Sequence, residues 1–222
     1  MDAAIAPLVK ARTEDKPLVV AQLGQSLDGR IATPTGSSRG INGPAAMTHL
    51  HRLRALVDAV VVGAGTARTD NPRLTVRHCQ GQSPARVVID PRGTVCPFAQ
   101  VWSPEDGARR IVFGGSSALD ASVERLPIPG GMLEPAWILR TLHGMGFSRV
   151  LVEGGGTTVS KFLAADQLDL LHVLVAPVVL GSGLTGLSLP GVVNVAEAAR
   201  PATAVHVFDG CDVLFACDLR QV

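Results

Sequence analysis

Tyrosine is absent from the 222 residues. That removes the short-chain dehydrogenases and the aldo-keto reductases, whose usual proton donor is a tyrosine. An excess of charge of one sign is missing too. The formal net charge is +1, so nothing in the balance points to a nucleic-acid surface. No apolar run approaches the length of a membrane span, and the N-terminus (MDAAIAPLVKARTEDK) lacks the apolar core of a signal peptide. A cytoplasmic protein is expected. The four cysteines, Cys79, Cys96, Cys211 and Cys217, form no C-x-x-C pair and read as free thiols, mostly buried. The six histidines give no metal spacing. His49 and His51 are two apart, and on a helix such residues do not share a face.

What is present is an alternation of apolar runs and helical stripes. Residues 1–16 are polar and read as a loose arm or short helix, and 17–222 as a single domain. Pro17 to Leu23 is expected as a strand, followed by an Asp28-Gly29 turn with Arg30 to Ala32 returning as strand. Thr33 to Gly43 is a glycine- and serine-rich loop. Pro44 opens a helix to about Leu56, with Ala46, Leu50, Leu53 and Leu56/Val57 as its apolar stripe and Asn42 as its cap. Buried strands follow at Asp58 to Gly63, Ala85 to Asp90, Arg109 to Gly115 and Arg149 to Gly156. Helices are expected over Glu134 to Gly146 and from Thr157 onward. A long strand after Leu168 breaks at Pro177, and Ala204 to Leu219 reads as a hairpin around Asp209-Gly210. The pattern is an α/β domain with a mostly parallel central sheet, flanking helices and an antiparallel C-terminal hairpin.

Ligands of such sheets sit at the C-terminal ends of the strands. Four glycine-bearing loops fall there: Gly63 to Asp70, Asp90 to Gly93, Gly114 to Ser117, and Glu153 to Thr157. The first, in "VVVGAGTARTDNPRLTVR", imitates a dinucleotide fingerprint with Gly63 and Gly65. Arg68 stands in place of the third glycine, and Pro72 forbids the long helix that a Rossmann loop must launch. A strand, a short helical piece and a second loop are expected instead.

In order along the chain, "SLDGRIA", the G-x-S of the next loop, "LRALVDAVVVGAGT", "DNPRLTVR", "RVVID" and "VEGGGT…FL" resemble the reductase domain of the bifunctional riboflavin-biosynthesis deaminase/reductase. The likeness runs from about residue 17 to the C-terminus. It implies a dihydrofolate-reductase-like fold, a homodimer, and hydride transfer from NADPH to a ribosylaminopyrimidine 5′-phosphate. The resemblance places Gly24, Gly40, Thr66, Asp70, Pro91, Arg92, Gly154, Gly155, Gly156 and Thr157 at the cofactor, Arg92 facing the adenosine 2′-phosphate. It places Ser38, Arg54, Leu74, Arg77 and Glu153 at the substrate, and it names no catalytic residue.

Each position has a plainer reading. The "EGGGTT" turn puts backbone N–H groups and a helix N-terminus together, which suits a pyrophosphate, or is a helix start alone. Asp70 can form an Asx turn before Pro72, Arg92 can be a solvated turn residue, and Glu153 can cap the glycine turn. Asp28 is the best-placed ionisable group for supplying a proton, or only half of a turn. Three departures stand out: the family commonly has lysine at Gln22, tryptophan at Gly40 and serine at Pro91. A reductase domain without the deaminase half is expected. The competing functions are a reductase of another pteridine- or folate-like substrate and a non-catalytic NADP-binding protein.

Overall fold

A computed structural model of the chain describes residues 3–128 and 134–221. The first two residues of the expected arm and the last residue of the chain lie outside these. The arm region is helical: a short turn at Ala3–Ile5 runs into α1 (Ala6–Thr13), whose Leu8 and Ala11 are buried.

The sheet is built from β1 (Leu18–Ser26), β3 (Ala59–Gly63), β4 (Ala85–Asp90), β5 (Arg110–Gly114), β6 (Glu124–Leu126), β7 (Arg149–Glu153), β8 (Leu170–Ala176), β10 (Ala202–Val207) and β11 (Val213–Asp218). Two short strands, β2 (Arg30–Ala32) and β9 (Leu184–Thr185), pair separately with each other. The large sheet runs β10-β11-β8-β1-β7-β3-β4-β5-β6. From β8 to β6 every pairing is parallel, and β11 and β10 are antiparallel to their neighbours. The chain winds outward from β3 to β6, then returns to place β7 between β3 and β1. Ligands bind where strand order reverses in this way.

Side chains alternate between two buried layers, as the pleat requires. Val20, Val60, Val62, Val88, Val112 and Leu151 pack on one side, with α1, α2 (Pro44–Leu56) and Trp102. Ala21, Ala59, Val61, Val87, Ile111, Val150 and Val152 pack on the other, with α4 (Pro135–Gly144) and α5 (Gly156–Ala164). That double cover explains the continuous apolar runs of the central strands.

Several expectations need correction. Asn42 does not cap α2: Gly43 is the N-cap, and no side chain bonds there. Asn42 Nδ2 and the Gly43 N–H instead donate to the two oxygens of Asp212, from the hairpin turn. The carboxylate outcompetes the cap because it satisfies two donors at once. β2 does not return along β1 but pairs with β9, so this ribbon is tied to the loop after Pro177. None of the four cysteines is buried; Cys96 and Cys211 are exposed, and Cys79 and Cys217 are partly so. They fall in turns and on the poorly covered end of the sheet, where burial was not on offer.

Candidate functional site

A cleft of about 960 Å³ opens along the C-terminal ends of β1, β3 and β7. Gly24, Ser38, Thr66, Asp70, Pro91, Glu153, Gly154, Gly155, Gly156 and Thr157 line it. Gly40, Arg54, Leu74, Arg77 and Arg92 do not; Gly40 and Arg92 adjoin the lining residues Ile41 and Pro91, and Arg54 is bonded to the lining residue Glu153. The β2–β9 ribbon roofs one side with Ile31, Ala32, Leu184 and Thr185.

β7 delivers the chain into the glycine turn. Gly154 takes φ +99°, a left-handed conformation that glycine adopts without strain. A β-carbon there would stand 2.8 Å from the Thr66 methyl, and one on Gly156 would stand 1.8 Å from the Gly186 carbonyl oxygen. Gly156 is therefore demanded by close packing under the ribbon, whatever the cleft binds. The Gly155 N–H is already taken, donating to Thr66 Oγ1 at 2.9 Å. The N–H groups opening α5, at Gly156 and Thr157, have no carbonyl one turn back to accept them. With Lys161 on the same wall of the cleft, they make a place for an anion.

α3 (Ala64–Thr69) is the short helical piece expected after Gly63, and it ends with Asp70 as its C-cap. Ser38 Oγ donates to Asp70 Oδ1 at 3.1 Å. Burial pushes the Asp70 carboxyl up from its ordinary value, and the Ser38 bond opposes that rise. Residues 36–40 read G-x-S-x-G, the spacing of a hydrolase elbow, but they lie in a loop and not between a strand and a long helix.

Glu153 ends β7 facing α2, and Arg54 answers it. Nε donates to Oε2 at 2.9 Å and Nη2 to Oε1 at 2.5 Å, while Nη1 donates to the Thr75 carbonyl at 3.0 Å. The two side chains are 5% and 12% exposed. This forked ion pair fixes the loop at 73–77. Leu74 there is buried at φ +57°, a conformation that a leucine accepts only under outside constraint. His51 holds the same loop: its Nδ1 accepts the Arg77 N–H at 2.9 Å. Burial, with the Arg54 and Arg77 charges nearby, pushes His51 down to about 3. The Arg77 side chain is exposed and donates to Thr75 Oγ1. Asp58 is occupied elsewhere, bonded to Arg149, so neither arginine pairs with it.

Asp28 lies outside the cleft. It accepts from Ser26 Oγ and from the N–H groups of Leu180 and Gly181, which hold it down at about 2. It is a tie between two loops and stays ionised. Among the described residues no cluster could hold a metal ion, and no helix is long and apolar enough to cross a membrane.

Residues 17–207 match the RibD C-terminal domain. The chain belongs to that family. It is 33% identical to the 2,5-diamino-6-ribosylamino-4(3H)-pyrimidinone 5′-phosphate reductase of Methanothermobacter thermautotrophicus, over 83% of this chain and 90% of that one. The deaminase/5-amino-6-(5-phosphoribosylamino)uracil reductase of Thermotoga maritima superposes with TM-score 0.80 at 30% identity, over 95% of this chain and 58% of that chain. The chain spans about half the length of the riboflavin biosynthesis protein RibD of Mycobacterium tuberculosis, to which it is 36% identical. The fold is dihydrofolate-reductase-like: the Enterococcus faecalis dihydrofolate reductase superposes at TM-score 0.54 and 10% identity, over 91% of this chain.

Some lining residues of this RibD C-terminal domain escaped the sequence. Lys161 carried a signal, since it lies one turn beyond Thr157 and so on the same helix face. Asn42, Met47 and Leu50 line the cleft from the start of α2, where the helical stripe accounted for Leu50 as core. Thr185 and Leu184 carried none, because the ribbon pairing that brings them in joins segments far apart in sequence.

Proposed function

We propose that the chain is a cytoplasmic, homodimeric, NADPH-dependent reductase that converts a 6-ribosylaminopyrimidine 5′-phosphate to the ribitylamino product. The observation that carries this reading is a cleft at the sheet's switch point, bounded by an anion-ready helix start on one side and the Arg54-held Glu153 on the other. The chain's membership of the RibD C-terminal domain family supports the substrate class.

The residues fit a bound dinucleotide. Gly154 to Thr157 and Lys161 would take the pyrophosphate, with Thr66 and Asp70 beside them and Gly24 toward the nicotinamide. Pro91 lines the cleft and Arg92 follows it in an exposed turn, which suits the 2′-phosphate of NADP. Bound NADPH supplies a hydride. The chain's own contribution is placement and exclusion of water. Leu23, Ile31, Met47, Leu50 and Leu174 contribute to the apolar part of the lining. Ser38 and Glu153 would orient the ribosylaminopyrimidine, and Leu74 and Arg77 would bound its phosphate end.

The test is to mix protein, NADPH and the ribosylaminopyrimidine phosphate and follow the reduced-nicotinamide absorbance. Substrate-dependent loss supports the proposal. Oxidation only with a pterin would redirect it to a folate-like substrate, and NADPH binding without turnover would leave a binding protein.

A further inference from the structure

The turn that joins β10 to β11 reaches across to the start of α2. Two backbone bonds close it: Cys211 N–H donates to the Phe208 carbonyl at 3.0 Å, and Phe208 N–H to the Asp212 carbonyl at 2.8 Å. Register sets it beside the end of β1, since Leu214, Leu174 and Gly24 are successive partners across β11, β8 and β1. Two of its side chains grip α2. The Phe208 ring lies 5.5 Å from that of His49. Asp212, 1% exposed, accepts from Asn42 Nδ2 at 3.1 Å and from the Gly43 N–H at 2.7 Å.

Asp212 does not line the cleft, but Asn42 does. A carboxylate oxygen bonded to an amide settles which way the amide faces, because only its NH2 group can donate. Asn42 Oδ1 is thereby turned away from Asp212 and toward β1. A β-carbon on Gly24 would collide with it. Gly24 lies within β1 and is not among the left-handed glycines. The close approach of this oxygen, and not a torsion, is what requires glycine there. Among the described residues Oδ1 receives no hydrogen bond. The result is an acceptor of fixed direction in the cleft wall, held from outside the cleft.

We propose that Asp212 is a positioning residue of the reductase: it orients Asn42 so that Oδ1 accepts a hydrogen bond from the carboxamide N–H of the nicotinamide. This rests on the reductase reading above, which puts the nicotinamide toward Gly24. The dihydronicotinamide ring is uncharged, and its carboxamide is the one group on it that both donates and accepts hydrogen bonds. With the phosphates anchored at α5, what the carboxamide meets sets the rotation of the ring about its glycosidic bond, and with it the ring face turned to the substrate. An acceptor already fixed by a buried partner loses no freedom when the cofactor binds.

Asp212→Asn keeps the shape of the side chain and changes its polarity. Its one oxygen can serve only one of the two donors. With that oxygen on the Gly43 N–H, its NH2 group faces Asn42 and turns that amide round, so that Nδ2 replaces Oδ1 in the cleft wall. Calorimetric titration compares the Kd of NADPH with that of its reduced 3-acetylpyridine analogue, which keeps the carbonyl and lacks the N–H. The wild type should prefer NADPH by about three- to tenfold, the scale of one neutral hydrogen bond. Asn42→Leu should lose that preference. Asp212→Asn should lose it too, although residue 212 touches no cofactor, and the double variant should lose no more than Asn42→Leu alone. A purely structural prop would lower the Tm and weaken both cofactors alike, leaving the ratio where it was. Should Asp212→Asn not fold, Asp212→Ser keeps an acceptor for Gly43 and frees the Asn42 amide, and the ratio should fall part of the way. A wild type without the preference, or a ratio unmoved in Asn42→Leu or in the folded Asp212 variant, overturns the inference while NADPH binding keeps the reductase reading. A wild type that binds neither cofactor overturns both.

Discussion

Arg54 and Arg77 look interchangeable in the sequence, two cations flanking one strand and loop, and the structure separates them. Arg54 is buried in a forked pair, so removing it strands the Glu153 carboxylate, only 12% exposed, without its counter-charge. Arg54→Ala should cost about 3–5 kcal/mol of stability, read from a denaturant melt, and Glu153→Gln in the same chain should restore part of that. Arg77 is exposed, so Arg77→Ala should leave stability within about 0.5 kcal/mol. If Arg77 meets the substrate phosphate, its loss should raise KM about tenfold or more. A KM that stays put with Arg77→Ala removes it from the site. Arg92 gives a parallel case. Arg92→Ala should weaken NADPH roughly tenfold and leave NADH unchanged, by titration of each cofactor; an equal effect on both would assign Arg92 to its turn alone.

At the scale of elements, α2 is the organiser of the site, and one of its residues makes the loop at 73–77 sensitive to acid. The buried His51 ring accepts the Arg77 N–H, edge-on to His78 at 4.5 Å and close to the Arg54 and Arg77 charges. Its folded value is about 3 against an ordinary 6.5. Between those values the unfolded chain binds more protons than the folded one. His51 stabilisation is thus complete above about pH 6.5 and is lost as pH falls toward 3, by at most about 1.4 kcal/mol per pH unit. His51→Asn keeps an acceptor and cannot titrate, so its melting temperature should fall less steeply over pH 6.5 to 4. Parallel curves would assign the acid sensitivity to other groups. α2 also shows what the sequence made legible. Its bounds, Pro44 and Leu56, follow from proline at the start and the apolar stripe, and the central strands follow from unbroken valine runs. Its polar contacts do not follow. Arg54 with Glu153, His49 with His172 and Asp212 with Gly43 join residues 99, 123 and 169 apart, and no local period encodes such pairings. The cleft loops Gly63 to Asp70 and Glu153 to Thr157 were legible because glycine turns at strand ends mark where backbone must come close, whereas Gly24 followed only from the family resemblance. The β2–β9 roof was not, since two- and three-residue strands carry no alternation to read.

For the molecule as a whole, the sheet ends badly on one side. β10 is an edge strand, and its sequence ATAVHV has no lysine, glutamate or proline to discourage another strand from pairing. Val205 is 56% exposed and Val207 71%, and Phe215, the register partner of Val205, is 38% exposed. The α4 and α5 layer that buries this side of the sheet in the centre leaves these residues bare. A second copy related by a twofold axis would cover the same patch on both chains, since such an interface is self-complementary. Antiparallel pairing of β10 with its symmetry mate would also satisfy the free edge. Light scattering across a dilution series should therefore report a dimer for the wild type. Val205→Lys places a charge in the middle of the patch and should give a folded monomer, with an unchanged circular-dichroism spectrum. A wild type that stays monomeric at every concentration sinks the idea, as does a Val205→Lys variant that remains dimeric. Because β8, next to β11, carries Leu174 into the cleft wall, the monomeric variant also reveals whether the interface supports the site: a KM for NADPH that holds while the dimer is lost would make each cleft self-sufficient.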